Sequence, residues 1–323
     1  MLGPVRPAAL CVALTIAAAT AVAQNVVQPP DTPSSQSSPL KIELGRRLFY
    51  EADLSINGTM ACATCHEQRR GFADGNRTHP GALDHPGKRN VPGLQNVALL
   101  RHFTWASRTP DLEHQALTPL TGEHPIEMGM KGQEAELARR LRGNSCYPKL
   151  FAAAFPENNG EISLTNVTRA LAAFERALVS FESPYDKAEK AGKALPAEAE
   201  AGRALFNGKG GCATCHSGLN FTDDAFHALE PAYPGDRGLA EESGRAEDAG
   251  LFRTPGLRNV ALTAPYFHDG QARTLPEAIR RHGLPVALSD AEMDEIATFL
   301  GALTDRSVLS DPRWSLPDEA CPL

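Results

Sequence analysis

Five residues, Cys62-Ala63-Thr64-Cys65-His66, recur unchanged as Cys212-Ala213-Thr214-Cys215-His216. Two thiols three residues apart can add to the two vinyl groups of one porphyrin, and Cys-x-x-Cys-His is the attachment pattern of a c-type haem. The His that follows shares a face with the first Cys of one helical turn, so it can reach the iron. A single copy could equally be half of a zinc site or a redox dithiol. Two identical copies in a chain of 323 residues point to two covalently bound c-type haems, with Cys62, Cys65, Cys212 and Cys215 as anchors. His66 and His216 then supply one axial ligand to each iron.

What each haem does depends on its other face. A strong sixth ligand makes an electron-transfer haem, whereas an open face lets peroxide bind and react. An internal repeat bears on this choice. Pro92-Gly93-Leu94-Gln95-Asn96-Val97-Ala98-Leu99 matches Pro255-Gly256-Leu257-Arg258-Asn259-Val260-Ala261-Leu262. Extended without gaps, the alignment pairs Trp105 with His268, Gln115 with Ala278, and Pro119 with His282. His282 is therefore the expected sixth ligand of the second haem, with Met293 as its competitor. Pro119 has no atom that binds iron, so the first haem is expected to be open. An open haem that splits peroxide needs a group to carry a proton from one peroxide oxygen to the other. Glu127, eight residues after Pro119 in a Gly- and Pro-punctuated loop, is the best candidate, followed by Glu123 and His124. Gln115, one turn before Pro119, can hydrogen-bond in the same space.

Helical periodicity must position these residues, since strand-like alternation is rare. Apolar spacing predicts helices near 41–49, 112–118, 134–142, 164–181, 197–206, 274–282 and 289–303. The fold expected is mostly α, with two cytochrome-c-like domains over 40–185 and 186–305 and a tail over 306–323 that packs back on the first. The polar stretch from Ser183 to Ala199 reads as the linker between the halves. Residues 1–23 have the charge, apolar run and Ala21-Val22-Ala23 site of a secretory signal, and 24–39 read as a disordered leader. Export to the periplasm follows, and covalent haem attachment agrees with it. Of the seven cysteines, Cys146 and Cys321 belong to neither haem motif nor signal. In an oxidising compartment they could close a disulfide or remain separate thiols. A net charge of −7 argues against a nucleic-acid partner, and no mature segment is apolar enough to span a membrane.

Taken together, these motifs resemble the bacterial dihaem cytochrome c peroxidase and MauG superfamily over essentially the whole mature chain. The supporting residues are both attachment motifs, Arg89-Asn90-Val91-Pro92, Trp105 with Leu112-Glu113-His114-Gln115-Ala116, Glu127-Met128, Arg253-Thr254-Pro255, and Ala264-Pro265-Tyr266-Phe267-His268-Asp269-Gly270. The resemblance implies hydrogen peroxide as substrate and Glu127 as acid–base residue at the peroxidatic N-terminal haem. It implies that Trp105 relays electrons between the haems. It also implies a calcium ion between the domains, held by Asn90 and backbone oxygens near Thr254 and Pro255. At the sixth ligand, peroxidases of this group carry Met and MauG carries Tyr, so His282 departs from both. Bis-His ligation lowers the potential of a haem relative to His/Met. Gln115 and Pro119 resemble MauG, and Gly122-Glu123-His124-Pro125 is similar to MauG-like enzymes associated with methanobactin operons, which oxidise a Trp of a partner protein. Against this, peroxidases place a displaceable His before the Arg-Asn-x-Pro run, where His79 and His85 lie. Three functions follow: oxidation of a partner protein, peroxide reduction with electrons from a small cytochrome c, or non-enzymatic electron carriage. Pro119 and Glu127 argue against the last.

Overall fold

The computed structural model describes residues 37–229, 235–284, 286–318 and 320–323, so the secretory signal and nearly all of the leader lie outside the described residues. In chain order the first half contains α1 (Pro39–Phe49), α2 (Cys62–Cys65), α3 (Leu112–Thr121), α4 (Glu134–Gly143), α5 (Cys146–Ala154) and α6 (Leu164–Ala177). There follow α7 (Pro184–Ala191), α8 (Ala197–Asn207), β1 (Phe226–His227), α9 (Ala240–Ser243), β2 (Phe252–Arg253), α10 (Leu275–Arg281) and α11 (Asp290–Ala302). β1 and β2 pair antiparallel, Phe226 with Arg253 and His227 with Phe252, the only ladder among the described residues. The fold is mostly helical, as the apolar spacing predicts.

Each half is built on one close helix pair, and the sequence repeat shows why. α1 starts cleanly because the Ser38 side chain accepts from Lys41 N–H and Pro39 occupies the first turn. Its buried Leu44, Leu48 and Phe49 face α6. A Cβ on Gly45 would lie 1.9 Å from the Ala170 carbonyl oxygen of α6, so only glycine permits this approach. The second half repeats the device: a Cβ on Gly202 of α8 would lie 1.9 Å from the Glu295 carbonyl of α11. Phe49 packs on Phe174 at 5.1 Å, and the matching Phe206 packs on Phe299 at 5.3 Å. Burying one such ring stabilises each core by roughly 1.5–3 kcal/mol.

Two duplicated asparagines join the halves. Asn96 and Asn259 both adopt the left-handed conformation, with φ of 60° and 62°. Asn96 accepts from Ser180 N–H at 2.8 Å and donates to the Ser180 carbonyl at 2.9 Å, just beyond α6. Asn259 accepts from Asp305 N–H at 2.8 Å, just beyond α11, and donates to Ser180 Oγ at 2.9 Å. Ser180 Oγ in turn donates to Asp305 Oδ2 at 3.1 Å.

The stretch expected to be a linker differs. It contains α7, whose Ser183–Asp186 capping box fixes its start and whose Tyr185 and Ala188 pack on the second core. The expected boundary at 185/186 thus falls inside a helix. Arg258 Nη1 donates to both Asp186 oxygens at 2.7 and 2.9 Å, with both side chains buried. Removing one partner of such a pair costs roughly 3–5 kcal/mol. The tail packs on the first half: Val308 and Trp314 enter its core, and Cys146 and Cys321 form a disulfide.

Candidate functional site

At the second motif, His216 and His282 face one another. His216 Nδ1 lies 3.2 Å from the Phe221 carbonyl, and His282, at the C-terminal end of α10, has Nδ1 2.7 Å from the Ala278 carbonyl. Donation to a carbonyl assigns the proton to Nδ1 and leaves Nε2 as a metal-binding lone pair. The ring centroids are 6.3 Å apart. Two metal–imidazole bonds of about 2 Å, with about 1 Å more from each nitrogen to its ring centre, span about 6 Å. Burial, helped by the neighbouring His282, pushes His216 down to about 4, so the ring is neutral as ligation requires. The two rings share a cavity of about 350 Å³ with Cys212, Cys215 and Trp105. These residues fit a haem held at both faces. Met293, the competing ligand, is buried in the second core.

At the first motif, the His66 Nδ1 lies 2.7 Å from the Phe72 carbonyl, which frees its Nε2 in the same way. The position matching His282 is Pro119, within α3. The segment after α3 folds back on it: Met128 N–H donates to the Pro119 carbonyl at 2.9 Å, and Met130 N–H to Leu120 at 2.8 Å. Glu127 is thereby fixed beside Pro119. Its own carbonyl accepts from Ala82 N–H at 2.7 Å. Burial pushes the Glu127 carboxyl up, while the His79 ring pulls the other way. Glu127 acts electrostatically on both Cys62 and Cys65, so it belongs to the same site. Gln115 is half-buried on the same helix. Glu123 and His124 are exposed, and Glu123 pairs with Lys131. Of the two loop histidines, His79 acts on both His66 and Glu127, whereas His85 is exposed.

One acidic residue escaped the sequence reading. Among the described residues, Glu175 of α6 forms no ion pair with its neighbour Arg176. Instead, Arg176 makes a two-pronged bond to Glu113 of α3 at 2.7 and 2.6 Å. Glu175 is left buried, its Oε2 without a hydrogen bond among the described residues. Burial, opposed by Arg176 and reinforced by Glu113, pushes its carboxyl up to about 8.

Between the motifs, Trp105 donates from Nε1 to the Asn90 carbonyl at 2.8 Å, and its own carbonyl accepts from Arg253 N–H at 2.8 Å. Asn90 N–H donates to the His268 carbonyl at 2.7 Å, and His268 stacks on Phe252 at 3.6 Å. Asn90, Thr254 and Pro255 line the same cavity as Trp105. The Thr254 carbonyl accepts from Thr222 Oγ1 at 2.6 Å and from the Arg253 guanidinium at 3.2 Å. Elsewhere, Cys215, Asp223 and His227 bring donor atoms within 4.8 Å of one another. Thioether formation at Cys215 leaves only the His227–Asp223 hydrogen bond of 2.7 Å there.

Comparison with known proteins agrees with this geometry. Residues 39–194 match the family described as di-haem cytochrome c peroxidase. The methylamine utilization protein MauG of Methylorubrum extorquens is 34% identical over 85% of this chain and 82% of its own. Cytochrome c551 peroxidase of Pseudomonas aeruginosa is 33% identical over 85% of this chain and 80% of its own. Among solved structures, a MauG-like protein associated with microbial copper homeostasis superposes with a TM-score of 0.83. It shares 35% identity over 91% of this chain and 97% of its own. The chain belongs to the di-haem cytochrome c peroxidase and MauG family of haem-dependent oxidoreductases.

Proposed function

We propose that this protein is a periplasmic, MauG-like enzyme that activates hydrogen peroxide at the haem of the first half and oxidises a residue, Trp by the family resemblance, of a partner protein. The observation carrying this reading is the asymmetry of the two sites. His282 faces His216 at 6.3 Å in the second, while Pro119 and the half-buried Glu127 stand at the matching place in the first. The haems, when bound, supply the centre that accepts peroxide's two oxidising equivalents. Glu127 takes the proton of one peroxide oxygen and delivers it to the other, so that the latter leaves as water. Its setting raises the carboxyl above the ordinary carboxylate range, which favours taking up and releasing the peroxide proton. Gln115 orients the peroxide beside it. Trp105 lies on the route between the halves, with its N–H fixed on Asn90. His282 in place of Met favours a low-potential second haem, suited to storing an oxidising equivalent rather than to accepting electrons from a small cytochrome c. We read the first half, 40–185, as the peroxidatic domain and 186–305 as the electron-transfer domain, with α7 bridging them. The Cys146–Cys321 disulfide suits an exported protein, and no described helix is long and apolar enough to cross a membrane.

The second reading, a cytochrome c peroxidase reducing peroxide to water, is favoured by His79, whose ring neighbours both His66 and Glu127. Adding peroxide to the fully oxidised protein separates the two. Immediate formation of a species oxidised by two electrons, with little turnover of reduced cytochrome c, supports partner oxidation. Inactivity until half-reduction supports the peroxidase and overturns the proposal.

A further inference from the structure

Against His66 lies a set of aromatic side chains that the mechanism above does not use. The Phe72 carbonyl accepts from His66 Nδ1, and the Phe49 ring lies 6.4 Å from the His66 ring. Phe49 and Phe72 pack edge to face at 5.9 Å. Phe72 then meets Trp314 of the tail at 6.5 Å, and Phe49 meets Tyr50 at 5.5 Å. Tyr50 OH donates to the Trp314 carbonyl at 2.8 Å. The tail is strapped in place by the disulfide at Cys321, by Gln68 bonding the Val308 and Asp311 carbonyls at 3.0 and 2.9 Å, and by Arg46 bonding Ser315 at 2.9 Å. The indole is held against the first site, although its segment is separated from His66 by almost the whole chain.

We infer that Trp314 is an internal oxidation site: with no partner docked, oxidising equivalents from peroxide leave the first haem past His66 and Phe72 and come to rest on its indole. The inference rests on the reading that peroxide reacts at the first haem. Phenylalanine rings have no heteroatom to stabilise a lost electron, so Phe49 and Phe72 serve as the packed medium. Trp314 and Tyr50 are the oxidisable groups at its end. Tyr50 is the poorer terminus. Burial raises its phenol to about 12, and its hydrogen-bond acceptor is a carbonyl, which cannot take the proton that phenol oxidation must shed. Arg313 lies 5.5 Å over the indole, but Asp311 neutralises it through contacts of 3.0 Å. Trp314 is 5% exposed, which shields an electron-deficient ring from bulk reductants.

The chemistry balances. Peroxide takes two electrons and two protons and becomes two waters. The indole gives up two electrons and two protons and gains one oxygen from water, so each peroxide consumed leaves one oxygen on Trp314 and one net water. Such a sink would spare Glu127 and Trp105 from self-oxidation.

The test treats the oxidised dihaem protein with a few equivalents of peroxide, without partner or electron donor. It follows the haem absorption spectrum and then the mass of each tryptic peptide. The chain has two tryptophans, so the peptides of Trp105 and Trp314 resolve the question. The expected result is an immediate spectral change followed by gain of one oxygen on the Trp314 peptide, lost when cyanide occupies the first haem. In Trp314→Phe the spectral change is expected to remain while the peptide carrying residue 314 gains no oxygen. A spectral change with Trp314 untouched, or with oxygen confined to Trp105, overturns the inference and leaves the peroxide reading standing. Oxidation of Trp314 undiminished by cyanide also overturns it, because peroxide then acts directly. No spectral change overturns both.

Discussion

Replacing Glu127 by Gln isolates proton transfer from placement. The backbone that holds residue 127 is bound through its carbonyl by Ala82 N–H and, one residue on, by the bond from Met128 N–H to Pro119. Neither bond involves the side chain, so the amide should sit where the carboxyl does. Among the described residues no ion pair of Glu127 is lost, and burial already disfavours the charged form. Stability should therefore hold while chemistry falls. General acid–base transfer contributes 10²–10⁴-fold, so the variant should react with peroxide slower by about that factor. At about 1.4 kcal/mol per tenfold, this is a barrier increase of roughly 3–5 kcal/mol. The pH dependence carries a second signature. A carboxyl raised by burial loses its basic form at a higher pH than an ordinary one. The wild-type rate should fall on the acid side above the usual carboxylate range, and the variant should lack that limb. Stopped-flow absorption of the oxidised protein mixed with excess peroxide measures both. A Gln variant that reacts at the wild-type rate, or keeps the acid limb, refutes the assignment and transfers it to another group, with His79 first in line.

Changing His282 to Ala should convert the second haem from low to high spin, visible by electron paramagnetic resonance and absorption; an unchanged spectrum means that His216 has a different partner. Glu175 gives a pH effect on stability. Its folded pKa of about 8 lies above the ordinary 4.5, so the contribution of its protonated form is fully present below about 4.5 and is lost as the pH rises through about 8. The melting temperature of the haem-loaded wild type should fall between about pH 5 and about pH 9, and Glu175→Gln should flatten that fall. Parallel curves for the two proteins would show that the group ionises elsewhere.

Much of this was legible because the chain contains its own comparison. The identical attachment motifs and the Pro92 and Pro255 runs supplied a register, and that register placed His282 opposite His216 before any coordinates. Helices with a clear apolar stripe were found within a few residues of their ends. What was missed lacked a local signature. α5, with buried Leu150 and Phe151, is short and apolar on several sides, so it has no contrasting polar face to mark it. α7 is rich in Lys and Glu, and the reason it is held is Arg258, 72 residues away. Glu175 has no local signature because the neighbouring Arg176 is taken by Glu113, 63 residues earlier in the chain. His79 and His85 are equivalent as letters, and only the fold turns one of them toward the site. The Cys146–Cys321 bridge spans 175 residues, a separation at which spacing gives no information about contact.

The paired asparagines also bear on how the molecule could change over time. Ser180 belongs to the first half, yet its hydroxyl serves Asn259 and Asp305 of the second. Either half alone would strand buried polar atoms, each costing about 1–3 kcal/mol. Since the same few bonds end the last helix of each half and hold the halves together, the spacing of the two haem pockets is set by residues other than their iron ligands. Substitutions over a haem face, such as Pro on one side and His on the other, can then accumulate without altering the distance an electron must travel. A duplicated protein with such a joint is free to specialise one copy while the other keeps its place.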